Sequence, residues 1–485
     1  MLDQTKTPLF SGIRSHWEGS PLSGHVPGHK YGAVFPKEAR DYFKDILKLD
    51  TTEITGMDDL HNPEGIIDEA QRLASDLYSS DETLFLVNGS TVGNLAMIIA
   101  TCKRGSKVLV QRNCHKSVLN GLELAGADPV FLPCKVDENL GVAVSVDLAY
   151  LYKALETIEG ITAVVLTNPN YYGTALDLEN IVQVAHSYDI PVLVDEAHGA
   201  HFMLGSPFPK TALFSGADVV VQSAHKTMPA MTMGSWLHIQ GSRVKKERIT
   251  HYLKMLQSSS PSYPIMASLD LARYYLASLS QKQKQAIVED IREFNEELKK
   301  VKGVEVVTPS DSRLHVDPLK LTLRSTKGLS GFELSSLLEK EGLFVELADP
   351  KNVLIVLPLA VNEEKHDMIE RIVRAVSNRA DLDVNMKRKQ VVLPLFPAEI
   401  SALAIPFSKQ ADYRKIKCPI EEAIGEIAAE AIVPYPPGIP LLFNGEKITS
   451  ATVEYIKALQ QIGARFQASE AFKSNYIYIY KKIKE

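Results

Sequence analysis

Two charged residues in the middle of the chain stand out by where they fall. Asp195 ends the apolar run "IPVLVD" (190–195), and Lys226 lies just past another, "DVVVQS" (218–223). A carboxylate at the end of a buried strand is costly unless a cationic group meets it, although capping the next helix is an alternative task for it. Lys226 stands in "QSAHKTMPAMTMG" (222–234), among small, hydroxylic and methionine residues and away from other charges. That is the setting of an amine that forms a Schiff base, not of a solvated surface lysine.

Other strand ends carry complementary groups. In "VNGSTVGN" (87–94), Gly89 permits close backbone approach, while Ser90 and Thr91 place hydroxyls and amides at a helix start. This suits a phosphate, and an ordinary N-cap is the plainer reading. "LVQRNCHKSV" (109–118) brings the aromatic ring of His115 to the same layer, or simply caps a loop. A phosphate cradle, a stacking ring, a buried carboxylate and a lone lysine together fit one cofactor, pyridoxal 5′-phosphate. Its aldehyde takes an amine, its ring nitrogen a carboxylate, and its phosphate a helix start.

The elements that must position these groups are seven short, nearly continuously apolar runs. They lie at 83–87, 107–111, 129–133, 163–167, 191–195, 218–223 and 235–240, mostly separated by helix-length segments. Strands buried on both faces read this way, so a doubly wound, mainly parallel α/β sheet is expected, with function at the carboxyl ends of its strands. A helix is expected over 282–301, where Ile287, Ile291, Phe294, Leu298 and Val301 recur at helical spacing. A smaller α+β domain follows, with strands near 304–309, 319–324, 343–347 and 353–359 and helices near 330–342 and around Met368–Val376. "NMKRKQVVLPLFPAEIS" (385–401) reads as a connection into a last segment holding "PYPPGIP" (434–440). The expected division is an N-terminal segment (1–60), a large domain (61–310), a small α+β domain (311–390) and a C-terminal domain (391–485).

Composition narrows the function classes. The 485 residues carry 23% charged side chains and a net charge of −6, with no basic stripe that would suit nucleic acid. The N-terminus lacks an apolar leader, and no apolar run approaches the ~18 residues of a membrane span. Four cysteines without CxxC spacing fit reduced thiols of a cytoplasmic protein, and no metal site is expected.

The motifs "HVPGHK" (25–30), "DDLHNPEG" (58–65), "NGST" (88–91), "HKS" (115–117), "DEAHGAH" (195–201), "SAHK" (223–226) and "PYPPGIP" (434–440) resemble the Orn/Lys/Arg decarboxylase family. The resemblance covers essentially the whole chain and matches the short form, without the N-terminal wing domain of the long bacterial enzymes. It implies a fold-type-I, aspartate aminotransferase-like large domain, with a small α+β domain and a C-terminal α+β domain. It implies decarboxylation of arginine or lysine, or of ornithine, to the amine and carbon dioxide, as in relatives that feed polyamine synthesis. Under it Lys226 is the Schiff-base lysine, Asp195 pairs with the ring nitrogen, and His115 stacks on the ring. Gly89, Ser90, Thr91 and Ser223 then cradle the phosphate. His198 stands where long-form members often carry tryptophan, and His225 is placed to meet the substrate carboxylate or deliver a proton. "LQSSSPSYP" (256–264) resembles a segment that reaches a neighbouring subunit, so Ser258 to Ser260, Ser259 centrally, would touch the partner's phosphate in a homodimer. Glu422 falls at the position of a glutamate that binds the distal cationic group, against the alternative of a solvated helix charge; Asp58 and Asp59 are the next choices. Aminotransferases and aldolases share the fold, and an aminotransferase would present an arginine such as Arg313 or Arg324 to the α-carboxylate.

Overall fold

The computed structural model describes residues 2–377, 399–435 and 438–483. They fall into two packed units. One takes the residues up to Thr101, Leu178–Ser206 and Lys210–Gln281; the other takes Cys102–Asp177, Pro207–Pro209 and the chain from Lys282.

In the first unit four of the expected runs form strands, in the spatial order Glu82–Leu86, Ser235–Ile239, Val219–Gln222, Val192–Asp195. The Ser235–Ile239 strand runs antiparallel to both of its neighbours, while Val192–Asp195 is parallel to Val219–Gln222, with Asp195 opposite Val221. Val192–Val194 and Val219–Val221 are all 0% exposed, which is why these runs carry no polar alternation. Each such side chain contributes about 1.5–3 kcal/mol by leaving water. The helix Gly89–Thr101 lies directly on this sheet. A Cβ at Gly93 would come within 2.8 Å of both Leu86 and Val221, so glycine is what lets the helix approach. The helix Ile66–Tyr78 buries Ile67, Ala70, Leu73, Ala74 and Tyr78 along one stripe.

In the second unit, Ile161–Thr167, Lys107–Gln111 and Asp128–Leu132 pair in parallel, and the short strand Ser401–Ala402 adds antiparallel to the last of them. The smaller sheet forms in the order Val304–Val306, Lys320–Ser325, Asn352–Val356, Leu347–Ala348, all antiparallel. The helices Gly331–Lys340 and Lys365–Ser377 accompany it, the first opened by a capping box between Ser330 and Glu333. The strand expected over 343–347 is reduced to Leu347–Ala348. Gly342, with φ +79°, ends the preceding helix, and Leu343 N–H returns to Leu338 O at 2.9 Å, so those residues complete a cap. The helix expected over 282–301 runs Gln281–Leu298 and buries Ile287, Ile291, Phe294 and Leu298. Beyond Ser401 a core of Ile420, Ile432, Ile456, Phe472, Ile477 and Ile479 forms behind the ribbon of Tyr413–Pro419 and Tyr476–Lys482. Most of the 385–401 connection, and Pro436 and Pro437 of the proline-rich run, lie outside the described residues. Among the described residues no helix is long and apolar enough to cross a membrane.

Candidate active site

Strand direction brings the expected groups of the first unit to one place. Because Ser235–Ile239 runs against its neighbours, the chain leaves the sheet at Leu86, Gln222 and Asp195 along a single edge. Carboxyl ends of strands in such a sheet are where ligands are bound.

Asp195 is 3% exposed. Its Oδ2 accepts from Nδ2 of Asn94 at 2.9 Å and its Oδ1 from the Ala197 N–H at 3.2 Å. Asn94 projects from the helix Gly89–Thr101 and was not singled out by its residue type. Its one signal is a buried amide in the apolar run "VGNLAMIIA". Lys226 lies on the single turn Ala224–Thr227 that follows Gln222, and its Nζ stands 3.0 Å from Nε2 of the buried His198. The two strand exits are tied by backbone: Glu196 N–H donates to Val221 O (2.9 Å) and Ser223 N–H to Ala197 O (3.2 Å).

The connection from Ser223 to Gly234 is anchored at its two ends. His225 donates to Gly234 O from its backbone N–H (3.2 Å) and from Nδ1 (3.0 Å). Met233 has φ +78°, a left-handed conformation costly for a methionine, and its carbonyl receives the Gly89 N–H at 2.9 Å. The strained turn therefore joins the lysine loop to the Gly89–Thr91 helix start. Gly89 itself has φ +75°, with open space where a Cβ would stand; Ser90 is half-buried and Thr91 exposed. Ser223 is 0% exposed, and its Oγ has no hydrogen-bond partner among the described residues. A buried hydroxyl without a partner is rare in a finished core and marks a place for a ligand atom.

Ser258, Ser259 and Ser260 are exposed, and the Ser258 carbonyl lies 2.8 Å from Nε2 of His61. Asp58 proves to be a structural residue. Its two oxygens accept five backbone N–H groups, from Asp59, Glu64, Gly65, Ile67 and Asp68. Against the desolvation that would raise it, those amides hold the carboxyl below its ordinary value. With both oxygens engaged, Asp58 is removed as a candidate for a substrate's cationic group.

The second unit holds His115 and Glu422. His115 caps the helix Lys116–Ala125; its Nδ1 accepts the Ser117 N–H (3.2 Å) and lies 2.8 Å from Ser117 Oγ. Its other edge faces Gly438, where an added Cβ would stand 3.5 Å from Cδ2 and Nε2. Arg112, 3% exposed, fastens the segment 440–446 by donating to Pro440 O (2.9 Å), Leu441 O (3.2 Å) and Glu446 (3.0 Å). Glu422 is exposed in the turn after Tyr413–Pro419, not on a helix. Glu421 and Glu426 beside it are paired to Lys457 and Lys481, whereas Glu422 has no ion pair among the described residues. Arg313 is forked onto Asp311, and Arg324 donates to Asn352 and to the carbonyls of Asn139 and Leu140. Both guanidiniums are thus engaged within the protein through Nε and Nη2. Among the described residues no group of three His, Cys, Asp or Glu could hold a metal ion.

The family model "Orn/Lys/Arg decarboxylase, major domain" matches residues 7–314, and that of the family's C-terminal domain matches residues 400–468. The chain is 45% identical to the uncharacterized protein YaaO of Bacillus subtilis (strain 168), over 98% of each sequence. It is 33% identical to the arginine decarboxylase of Bacillus subtilis (strain 168), over 100% of this chain and 99% of the other. Among solved structures, the lysine decarboxylase LdcF of Francisella novicida superposes with TM-score 0.79 at 19% identity, over 98% of this chain and 81% of that one.

Proposed function

The chain belongs to the Orn/Lys/Arg decarboxylase family, and from that premise we propose that arginine is the basic amino acid it decarboxylates, using pyridoxal 5′-phosphate. It is an amino-acid decarboxylase of fold type I, acting on a basic amino acid. The choice of arginine over lysine and ornithine rests on the full-length likeness to an arginine decarboxylase.

One observation carries the cofactor assignment: a buried carboxylate, an amine and an unpartnered buried hydroxyl share one sheet edge, at Asp195, Lys226 and Ser223. These fit the cofactor's ring nitrogen, aldehyde and phosphate in turn. When bound, the cofactor supplies the electron sink that lets the carboxylate leave as carbon dioxide. The chain does the rest. Asp195, aimed by Asn94 and Ala197 N–H, keeps a proton on the ring nitrogen. Gly89, Ser90 and Thr91 receive the phosphate at a helix start together with Ser223. Lys226 would hold the cofactor's aldehyde through Nζ, with His198 Nε2 3.0 Å from it as a hydrogen-bond partner. The likeness to the family gives His115 the task of stacking on the ring. His225, held through Nδ1–H on Gly234 O, is placed to meet the substrate carboxylate or to deliver the proton that replaces it. The same likeness assigns the substrate's guanidinium to Glu422, an acid with no ion pair among the described residues.

The exposed Ser258 to Ser260 support a homodimer in which Ser259 reaches the partner's phosphate. The division at residues 60, 310 and 390 and a cytoplasmic setting belong to the same reading. Carbon dioxide and amine release, measured with arginine, lysine and ornithine in the presence of pyridoxal 5′-phosphate, test it. Arginine should give the highest kcat/KM; no release from any of the three overturns the assignment.

A further inference from the structure

The residue after Asp195 is used by nothing described so far. Glu196 is 0% exposed, yet three donors converge on its carboxylate. Ala212 N–H donates to Oε1 at 2.6 Å, and Thr211 Oγ1 (2.7 Å) and Gln222 Nε2 (2.6 Å) donate to Oε2. Gln222, also 0% exposed, has its Oε1 3.1 Å from His238 Nε2, and His238 Nδ1 is 2.8 Å from Thr83 Oγ1. Burial pushes His238 down to about 3, so its ring is neutral and can donate from one nitrogen only. The Gln222 carbonyl needs a donor, so Nε2 carries the hydrogen and Nδ1 accepts from Thr83. This fixes the Gln222 amide with its NH2 toward Glu196. The fit is close on the other side as well: a Cβ at Gly199 would lie 2.6 Å from Glu196 Cγ.

The position of this chain of bonds gives it meaning. Glu196 immediately follows Asp195, and Gln222 immediately precedes Ser223, whose carbonyl accepts the Lys226 N–H at 3.2 Å. We propose that Glu196 is a positioning residue that, through Gln222, sets the spacing between the strand end bearing Asp195 and the strand end bearing Ser223 and Lys226. The inference rests on the cofactor reading above. A ring held at its nitrogen by one strand and at its phosphate and aldehyde by the next is sensitive to that spacing, because misplacement by about 1 Å can cost on the order of a hundredfold in rate.

The test exploits donor and acceptor polarity. Above pH 7, where the Glu196 carboxyl pushed up to about 7 is ionised and both its oxygens accept, Glu196→Gln puts an amide NH2 against either Ala212 N–H or the Gln222 NH2. The exchange Glu196→Gln with Gln222→Glu restores one donor facing one acceptor between the two positions, and the new carboxylate accepts from His238. Holoenzyme of each is compared with wild type by circular dichroism of the cofactor's visible band, by cofactor affinity and by kcat and KM. The single variant should show an altered band, at least tenfold weaker cofactor retention and a kcat at least tenfold lower, and the exchange should recover most of each. A folded Glu196→Gln with wild-type band, affinity and kcat overturns the proposal, and so does a folded exchange variant no better than the single one. Should Glu196→Gln not fold, Gln222→Met breaks the same bond from the other strand and is judged by the same signals. Wild type run in parallel separates the two readings: a wild type without a cofactor band defeats the proposed function, not the role of Glu196.

Discussion

Nζ of Lys226 and Nε2 of His198 are 3.0 Å apart, joining the turn after one strand to the loop after the next. At that distance the pair shares a hydrogen, so the two nitrogens are not both cationic. The lysine is thus aimed by a ring that can accept its hydrogen. Lys226→Ala should keep the fold and lose all covalent attachment of cofactor to the chain. Borohydride reduction followed by mass analysis of the denatured protein reads this directly, and cofactor still fixed to the variant would move the assignment to another lysine. His198→Ala should keep the attachment while turnover falls at least tenfold, about 1.4 kcal/mol.

Asp195→Asn should still bind cofactor and lose most turnover. The substitution removes the charge facing the ring nitrogen and sets an amide against the Asn94 amide, which donates to Oδ2 at 2.9 Å. Loss of such an electrostatic partner costs ~2.7–4 kcal/mol by analogy with removed oxyanion-hole donors. Steady-state kinetics showing less than a tenfold fall would make Asp195 a structural cap.

Glu196 gives a pH dependence of definite sign. Burial, opposed by its three hydrogen bonds, pushes its carboxyl up to about 7 from an ordinary 4.5. Between those values the folded state keeps a proton that the unfolded state has released, so this contribution to stability is lost as pH rises, by about 3 kcal/mol in all. His238, lowered from 6.5 to about 3, acts oppositely and costs stability as pH falls below 6.5. Comparing wild type with Glu196→Gln isolates the first effect. Between pH 5 and pH 8 the urea midpoint of wild type should fall relative to that of the variant; parallel curves would place the Glu196 titration near its ordinary range.

Glu422→Gln should raise KM for arginine at least tenfold and leave the cofactor band unchanged. A solvated surface charge predicts a change within ~0.5 kcal/mol. An unchanged KM for all three basic amino acids would return Glu422 to that class. Asp58 would not inherit the role, since its oxygens are occupied by five amides.

Composite sites can be counted by mixing. Lys226→Ala subunits combined with subunits altered at Ser258 to Ser260 should regain activity, because one site of each heterodimer escapes both lesions. No recovery after verified subunit exchange would mean each site is completed by its own chain.

Much of this arrangement was legible in the residues. The seven apolar runs form strands within one or two positions of their expected ends, because full burial leaves a continuous signal. Asp195 and Lys226 were visible as single charges at the ends of such runs. Asn94, Glu196 and Gln222 were not, for one reason: their roles depend on which strands lie side by side. That Asp195 stands opposite Val221 decides that Glu196 meets Gln222, and neither residue type announces it. The strand expected over 343–347 failed on a helix end, where Gly342 turns the chain into a cap and leaves Phe344 78% exposed.

The reversed strand Ser235–Ile239 has a consequence for how this chain can change. Gln222 and Trp236 are cross-strand partners, so the connection carrying Lys226 leaves and re-enters the sheet as the loop of a hairpin. Its two stems are neighbours both in sequence and in space, and its outer residues, Met231 and Met233 among them, are 41% and 45% exposed. Lengthening such a loop costs only ~0.6 kcal/mol per doubling in closure entropy and shifts no strand register. Residues 229–232 are therefore where insertions can accumulate while the amine stays where the sheet puts it.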